Sequence, residues 1–452
     1  MNVMPLTIQA YLEGCWTDIA KLDFNDKKQV MSLTYLNDYN FEHFLADNCF
    51  SISINHPVEL FAESIYGHWL PILDDIIPAG ASRNYWMQRL DMLRLPIAEQ
   101  NYELLKNATI APVGHLRIKE AVPTVEQVRY FSLEDIINRD VDFLEYASEQ
   151  GAMAGGATGA GGEAPKLLLR CHSDKAIWID NQQLADSDDK YYLVKYPRGK
   201  RSSIDCDILR AEFHYYQELK AMGFNTIDTD GMRLIEGKRY PSLWLPRFDI
   251  AIDKASETTQ QTTQRFAMES IYSMLKKGAG AYLNHETTIR DLITLIEASN
   301  MVAEGFYFDK QAFVLEWVQR DLLNIAFGNS DNHGRNTAFM RDERSIWLAP
   351  IYDFAPMKAD PEGIVRTIKW KSENRETPKL ESGGRYRFDL IAEQLSDLIA
   401  PELLLNELNI TASKLLSLKS RLADRGVPKQ ILEHPNIGFD FLPDKLKEWR
   451  LL

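Results

Sequence analysis

The stretch FGNSDNHGRNTAF, residues 327–339, places Asp, His, Arg and Asn side chains between two apolar flanks. The run before it, residues 309–326, has apolar residues three or four positions apart and predicts a helix that ends at this stretch. A plain surface loop would account for the polar residues. The alternative is a catalytic loop, in which the spacing from Asp331 to Asn336 serves a metal ion and a hydroxyl group.

The pattern Asp-x-x-x-x-Asn in a loop after a helix matches the catalytic-loop spacing of protein kinases. There the Asp orients the substrate hydroxyl and accepts its proton, and the Asn helps to hold Mg²⁺. A second carboxylate must complete such a metal site, and Asp353 follows the apolar run IWLAPIY, 17 residues beyond Asn336. Its triplet is Asp-Phe-Ala, with alanine where kinases have glycine. The pattern therefore predicts Asp331 as catalytic base and Asn336 and Asp353 as Mg²⁺ ligands, unless the three are unrelated loop residues.

Lys195 lies within the strand-like run KYYLVKYP, where a buried ammonium group is costly without a partner. One interpretation is a strand position that faces solvent. The other is a lysine directed at nucleotide phosphates and held by a carboxylate of the next predicted helix, for which Glu212 is the candidate. Glu212 fits a surface position on an amphipathic helix equally well.

The segment GAMAGGATGAGGEAPK, residues 151–166, has six glycines in its first twelve residues. Glycines between strands let backbone N–H groups approach an anion, and Gly159, Gly161 and Gly162 are the candidate contacts. A flexible linker has the same composition. The segment ends in Ala-Pro-Lys rather than in Gly-Lys followed by Ser or Thr, which excludes a P-loop NTPase.

The periodicity predicts an α+β chain in three parts. Strands are expected at residues 6–14, 30–36, 166–172, 190–197, 232–237 and 240–250. Helices are expected at residues 82–95 (capped by Ser82), 132–150, 204–223, 262–278, 288–301, 309–329, 387–399 and 403–422, with a loop at 255–264.

Composition limits the class of protein. A chain of 452 residues should contain two or three domains, and its net charge of -14 and pI near 5.2 argue against a free nucleic-acid binder. The densest basic run, KYPRGKR, is predicted to be a solvated loop over residues 198–201. The four cysteines form no CxxC pair, and neither a signal peptide nor a membrane-spanning run is found. We therefore expect a cytoplasmic protein without membrane contact.

The segments YYLVKYP, LPRFDI, GNSDNHGRN and PIYDFAP resemble the HipA family of bacterial toxin kinases. Two earlier segments, PILDDIIPAGASRNYWMQRL and ELLKNATIAPVGHLRI, resemble that family's N-terminal subdomain. The resemblance implies a bilobal protein-kinase-like fold: an N-terminal subdomain at residues 1–122, a small β-rich lobe at 123–249 and a helical lobe at 250–452. It implies a Ser/Thr protein kinase that uses ATP and Mg²⁺.

The resemblance also assigns further roles. It makes Lys195 a phosphate contact, and His333 a second one, although a hydrogen-bonded loop histidine is the competing interpretation for His333. Pro246 and Phe248 would offer hinge backbone to the adenine, with Asp249 near the nucleotide.

In the family, a serine of the Gly-rich loop is autophosphorylated and the loop is then ejected. Thr158 stands at that position here, and threonine is bulkier and stiffer; Ser148 is a second candidate. The resemblance further implies a small DNA-binding, HipB-like antitoxin as partner, with DNA contacted mainly through it. The implied substrate is a protein, such as an aminoacyl-tRNA synthetase.

Two other functions fit parts of the pattern. Asp331 and His333 could open a metallophosphoesterase site, which needs further Asp, Asn and His ligands, but His434 is the only later histidine. Alternatively, the chain could be a catalytically weak nucleotide-binding scaffold or co-repressor subunit. Two features fit this function: alanine stands where kinases have the glycine of Asp-Phe-Gly, and the Gly-rich segment has no basic residue before Lys166.

Overall fold

The structure, a computed structural model, describes residues 3–65, 68–110, 112–122, 130–138, 166–179, 189–253, 262–303, 305, 308–371 and 379–452. Residues 151–165 of the Gly-rich segment lie outside these ranges, and so do the sites predicted at Ser148, Thr158, Gly159, Gly161 and Gly162. The predicted helix 132–150 and the predicted loop 255–264 are described only in part.

The N-terminal region is built on an antiparallel sheet with the order β4-β3-β2-β1-β5. Its strands are β1 (Leu6–Leu12), β2 (Cys15–Phe24), β3 (Val30–Tyr35), β4 (Glu63–Ser64) and β5 (Leu116–Ile118). The strands predicted at 6–14 and 30–36 are therefore confirmed. Four helices accompany the sheet: α1 (Asn37–Glu42), α2 (Leu73–Ile76), α3 (Gly80–Arg89) and α4 (Ile97–Ala108). The predicted cap Ser82 is wrong, because α3 begins at Gly80 and Ser82 is buried inside its first turn.

A second five-stranded antiparallel sheet has the order β7-β6-β8-β10-β9. Its strands are β6 (Lys166–Ser173), β7 (Ala176–Ile179), β8 (Lys190–Lys195), β9 (Arg233–Glu236) and β10 (Pro241–Pro246). Both faces are covered, so its strands are continuously apolar instead of alternating. One face packs on the large core of the helical region through Leu168, Leu193, Leu243 and Leu245. The other joins the N-terminal core through Leu167, Leu169, Val194 and Trp244.

The helix α6 (Ser203–Ala221) packs against β10 and follows the short α5 (Leu133–Asn138) in the chain. Its N-terminus has a capping box, in which the Ser202 and Asp205 side chains and backbone N–H groups satisfy each other. Past its C-terminus Gly223 has φ +88°, a left-handed conformation that favours glycine. The helix predicted at 204–223 is thus confirmed.

The helix predicted at residues 262–278 is wrong over most of its length. Residues 262–270 form the strands β12 (Thr262–Arg265) and β13 (Ala267–Ser270), and only α7 (Ile271–Met274) is helical. β12 pairs with β11 (Ile250–Asp253), while β13 pairs with β15 (Ala338–Arg341), far along the chain. Pairing with the preceding β11 and with the distant β15 overrides the local helical period here.

The remaining elements form the helical region, which carries three small sheets. The helices are α8 (His285–Glu297), α9 (Asn300–Ala303), α10 (Lys310–Ala326), α11 (Phe388–Gln394), α12 (Pro401–Leu415), α13 (Leu418–Arg425), α14 (Lys429–Leu432) and α15 (Leu442–Glu448). The strand β16 (Ile346–Leu348) extends the β13-β15 sheet, β14 (Leu283–Asn284) pairs with β17 (Ile368–Lys369), and β18 (Glu381–Ser382) with β19 (Arg385–Tyr386). No helix in the described ranges is long and apolar enough to span a membrane.

Candidate active site

The predicted catalytic loop lies between the C-terminus of α10 and β15. Gly328, with φ +72°, turns the chain out of the helix, and a Cβ atom there would lie 3.0 Å from the Ile437 side chain. The loop is closed on itself, because Nδ2 of Asn336 donates a 2.7 Å hydrogen bond to the carbonyl oxygen of Asp331. This bond sets the two predicted active residues side by side.

His333 lies next to Asp331 in the loop. Its Nδ1 accepts hydrogen bonds from the backbone N–H groups of Arg335 and Asn336, both at 3.2 Å, so the proton of the neutral ring is on Nε2. Nε2 lies 3.4 Å from Oδ1 of Asp331. Burial raises the pKa of Asp331, and the nearby His333 opposes this rise only in part. Burial also lowers the pKa of His333, despite the carboxylates around it.

Asp353 has φ +52°, which is uncommon for a residue with a side chain. Its Oδ1 accepts a hydrogen bond from Nζ of Lys195 at 2.5 Å, and its Oδ2 accepts one from Nζ of Lys166 at 3.2 Å. Burial alone would raise the pKa of Asp353, but the two ammonium groups reverse this and hold the pKa well below its usual range. The carboxylate is therefore ionised.

Lys195 and Glu212 are brought together as an ion pair. Nζ of Lys195 lies 2.6 Å from Oε1 of Glu212 in α6, and both side chains are buried. Burial lowers the pKa of Lys195, yet Asp353 and Glu212 together raise it above its usual value. The Tyr216 hydroxyl donates to Glu212 and accepts from the backbone N–H of Phe354, which connects α6 to the Asp-Phe-Ala turn.

An apolar pocket lies beside these charges. Lys195 and Asp353 line this pocket, and its apolar lining includes Val113, Leu193, Ile227, Leu245, Pro246, Phe248 and Tyr352. The rings of Phe248 and Tyr352 stack with centroids 5.3 Å apart. Pro246 and Phe248, the predicted hinge residues, thus line the same pocket as Lys195.

Asp249 lines that pocket too, but its carboxylate is already engaged. It pairs with Arg247 at 2.5 Å, and it accepts a 2.7 Å hydrogen bond from the backbone N–H of Gly114. Its side chain is buried. This pair joins the turn between β10 and β11 to the N-terminal region.

A second, polar cavity shares Lys195 and Asp353 with the apolar pocket. Lys166, Arg198, Glu212 and Asp331 also line it. Together the two cavities suit a ligand with a flat apolar part and an anionic part.

The family of the chain follows from comparison with known proteins. The model of the HipA-like C-terminal domain matches residues 158–409, more than half of the chain. This chain belongs to the HipA family. No curated protein matches it in sequence.

Two solved structures are similar to this HipA-family chain. One is HipA of Shewanella oneidensis MR-1, from a toxin–antitoxin complex with HipB and operator DNA. It has a TM-score of 0.63 and 16% identity, covering 98% of this chain and 97% of that chain, so the two share a fold. The other, the Helicobacter pylori proinflammatory kinase CtkA, has a TM-score of only 0.37 and 14% identity, covering 65% of this chain and 90% of that chain. A TM-score this low supports no statement about a shared fold.

One residue at this candidate site has no predicted role, and one prediction for a neighbouring residue is wrong. Lys166 was considered only as the end of the Gly-rich segment, but it pairs with Lys195 across β6 and β8 and reaches Asp353. Its place at the start of an apolar strand, directly after the Gly-rich segment, was the signal that could have found it. The predicted solvated loop is wrong for Arg198, which is buried and pairs with Asp360 and Glu362, each at 3.1 Å.

Metal ligands were also predicted. Oδ1 of Asn336 is buried and has no hydrogen-bond partner among the described residues, as expected of an atom left for another ligand. In the described part of this HipA-family chain, no three His, Cys, Asp or Glu side chains come together to hold a metal. The metallophosphoesterase alternative, which needs such a group, therefore finds no support there.

Proposed function

We propose that the chain is a HipA-type protein kinase that transfers the γ-phosphate of ATP to a serine or threonine hydroxyl of a protein. One observation carries the proposal: Lys195 with Glu212, Asp353 and Asp331 line one polar cavity that adjoins an apolar pocket. This is the combination of a phosphate contact, a metal ligand and a base that phosphoryl transfer needs. A bilobal kinase-like arrangement, with the nucleotide between the second sheet and the helical region, is part of the proposal.

ATP would bind with its adenine in the apolar pocket, beside the backbone of Pro246 and Phe248. Its phosphates would extend into the polar cavity toward Lys166 and Lys195. His333 would be a further contact on the phosphate side, since its Nε2 makes no hydrogen bond within the described ranges. We propose that glycines 159, 161 and 162 cover the phosphates.

A Mg²⁺ ion would suit the oxygen donors on either side of Asp331: Asp353 lines the polar cavity with Asp331, and Asn336 lines a neighbouring cavity with it. Oδ1 of Asn336 and the carboxylate of Asp353 would hold it, and nucleotide phosphates would have to complete the ligand set. When bound, the ion would neutralise charge on the phosphates. Each Asp353 oxygen already accepts one hydrogen bond from a lysine, so a metal ion at this carboxylate would compete with Lys166 and Lys195 for it.

Asp331 would act as the base. The substrate hydroxyl oxygen bonds to the γ-phosphorus, the bond from that phosphorus to the β–γ bridging oxygen breaks, and ADP leaves. The hydroxyl proton goes to the carboxylate of Asp331. Burial favours this role because it raises the pKa of Asp331 and makes it a better proton acceptor than an exposed aspartate.

We further propose that the chain is the toxin of a toxin–antitoxin pair with a small HipB-like, DNA-binding antitoxin. The Shewanella HipA structure contains HipB and operator DNA, and this supports the partner by analogy of fold. The net charge of -14 is consistent with DNA being contacted mainly through the partner. The proposed target is a protein such as an aminoacyl-tRNA synthetase.

A second candidate function is a nucleotide-binding scaffold or co-repressor with little transfer activity. The observation that favours it is the double ion pair of Asp353 with Lys166 and Lys195, which competes with metal binding.

Mass spectrometry after incubation with ATP and Mg²⁺ tests the proposal. We expect phosphate on Thr158, on Ser148 or on an added protein, and none with Asp331→Asn, which removes the base while leaving ATP binding nearly unchanged. ATP binding by the unmodified protein without any phosphate transfer would favour the scaffold. Transfer by Asp331→Asn at the unmodified rate would disprove the assignment of the base.

A further inference from the structure

Arg335 lies inside the predicted catalytic loop, one residue before Asn336, but its side chain points to the N-terminal region. It is buried, and its guanidinium Nη2 lies 3.8 Å from Oδ2 of Asp74 in α2. The other oxygen of Asp74 accepts a 2.8 Å hydrogen bond from Nε1 of Trp69. The positive charge of Arg335 also acts on the neighbouring Asp75. The loop is therefore linked electrostatically to α2.

The second link runs through residues 269–274, which belong to β13 and α7. From the N-terminal side, the Ser53 hydroxyl and the backbone N–H of Ile54 donate to the Glu269 carboxylate at 2.6 and 3.0 Å. The Asp75 carboxylate accepts a 2.8 Å hydrogen bond from the backbone N–H of Ser270. Glu269, Ser270 and Asp75 are all buried. The N-terminal region thus holds one side of this segment.

The other side of the same segment holds the catalytic loop. The backbone N–H of Tyr272 donates to the carbonyl oxygen of Gly334 at 3.2 Å, and that of Ile271 donates to Thr337 at 3.1 Å. The Tyr272 ring stacks on the His333 ring. A Cβ atom on Gly334 would lie 2.5 Å from the Tyr272 ring, so the loop fits against this ring without spare room.

We infer that the N-terminal region positions the catalytic loop, with Asp74 and Asp75 acting as positioning residues through Arg335 and residues 269–274. The inference rests on the proposed kinase function and extends it. Asp74 and Asp75 touch neither the proposed nucleotide pockets nor the reacting atoms. They fix the loop between Asp331 and Asn336, where a shift of about 1 Å can lower a rate by about a hundredfold.

The test uses Asp74→Asn in the full chain, because an amide keeps the oxygen that accepts from Trp69 and removes the charge that faces Arg335. We expect kcat for phosphate transfer to fall about tenfold while KM for ATP changes less than about twofold. In the Arg335→Met background, Asp74→Asn should lower kcat no further, since the partner charge is already absent.

Asp47→Asn is the matched control. Asp47 also belongs to the N-terminal region and accepts backbone N–H groups of the helical region, those of Asn300 and Met301 at 2.6 and 3.0 Å. These contacts are remote in sequence from the catalytic loop. We expect Asp47→Asn to lower the melting temperature without changing kcat. A purely structural role of Asp74 would give the same result for both variants.

Hydrogen exchange of the nucleotide-free protein supplies a readout that does not depend on activity. We expect faster exchange of the peptide covering residues 329–337 in Asp74→Asn, and no change there in Asp47→Asn. Equal loop exchange in the two variants would overturn the inference. If the unmodified protein transfers no phosphate, the proposed function fails, and this exchange comparison still decides whether the N-terminal region holds the loop.

Discussion

Two lysine ammonium groups and two carboxylates neutralise one another's charge where the apolar pocket and the polar cavity meet. Lys195 contacts both Glu212 and Asp353, while Lys166 contacts Asp353 from the neighbouring strand. All four groups are largely buried, so each charge depends on the others for compensation. A bound nucleotide with its metal would add charges of both signs and redistribute these contacts.

Lys166→Met tests the unforeseen member of this group. Methionine keeps much of the length but removes the ammonium, so we expect ATP to bind about tenfold more weakly, because a hydrogen bond to a charged group contributes about 1.5 kcal/mol or more. Titration calorimetry measures the change. Lys190→Met, at the exposed beginning of β8, is the control and should bind ATP normally. Equal affinities of the two variants would contradict a role for Lys166.

Asp75 predicts a pH dependence of stability. Burial raises its pKa to about 7, although Arg335 and Ser270 oppose the rise. Between the unfolded value of 3.8 and 7, the folded state keeps a proton that the unfolded chain releases, so stability falls as the pH rises through this window. Asp75 therefore lowers the free energy of unfolding by about 1.4 kcal/mol per pH unit at most. The free energy of unfolding of Asp75→Asn, measured with urea at a series of pH values, should lack this contribution. If the free energies of both proteins change with pH in parallel, the prediction is wrong.

At the scale of elements, the end of β8 is tied to the turn that follows Asp353. Arg198 makes this connection through Asp360, which is buried, and through Glu362, which is half exposed. The tie therefore joins the second sheet to the segment that carries a predicted metal ligand. Because Asp360 is buried and Glu362 is half exposed, substitutions can separate the contributions of these two carboxylates to the stability of the protein.

Arg198→Met should destabilise the protein by about 3 kcal/mol, because it leaves the buried Asp360 carboxylate without its cation. Glu362→Gln removes the exposed partner of the same guanidinium and should cost less than about 1 kcal/mol. The midpoint of urea unfolding distinguishes the two. Similar losses in both variants would mean that Asp360 is not the important partner.

At the scale of the whole molecule, the second sheet is shared between two cores. Leu167, Leu169, Val194 and Trp244 are buried by the N-terminal region, while the alternate residues face the helical region. The predicted boundary at residue 122 therefore separates segments of the chain whose side chains still pack together. The boundaries themselves stay predictions.

Deleting residues 1–122 should prevent independent folding of the remainder. The deletion exposes the four large apolar side chains of the second sheet, each worth about 2 kcal/mol of burial, or about 8 kcal/mol together. This is comparable to the net stability of a typical domain. We expect an aggregated product in sedimentation measurements. Cooperative unfolding of a soluble fragment at the melting temperature of the full chain would refute the shared core.

The sequence by itself determined the features that depend on neighbours along the chain. The strands at 6–14 and 30–36 and the helix at 204–223 follow from local periods of apolar residues and from end signals such as Gly223. The spacing of Asp331 and Asn336, and the polar loop that contains them, are likewise properties of a short segment. Local geometry decides such features because the relevant atoms are only a few bonds apart.

Only the tertiary structure decided which distant residues meet. Residues 267–270 form a strand because the distant β15 pairs with them, and Arg198 is buried because Asp360 pairs with it. The contacts of Lys166 with Asp353 and of Arg335 with Asp74 also join residues more than a hundred positions apart. No local period records these partners, because the free energy of burial and charge pairing depends on where the folded chain places the other group.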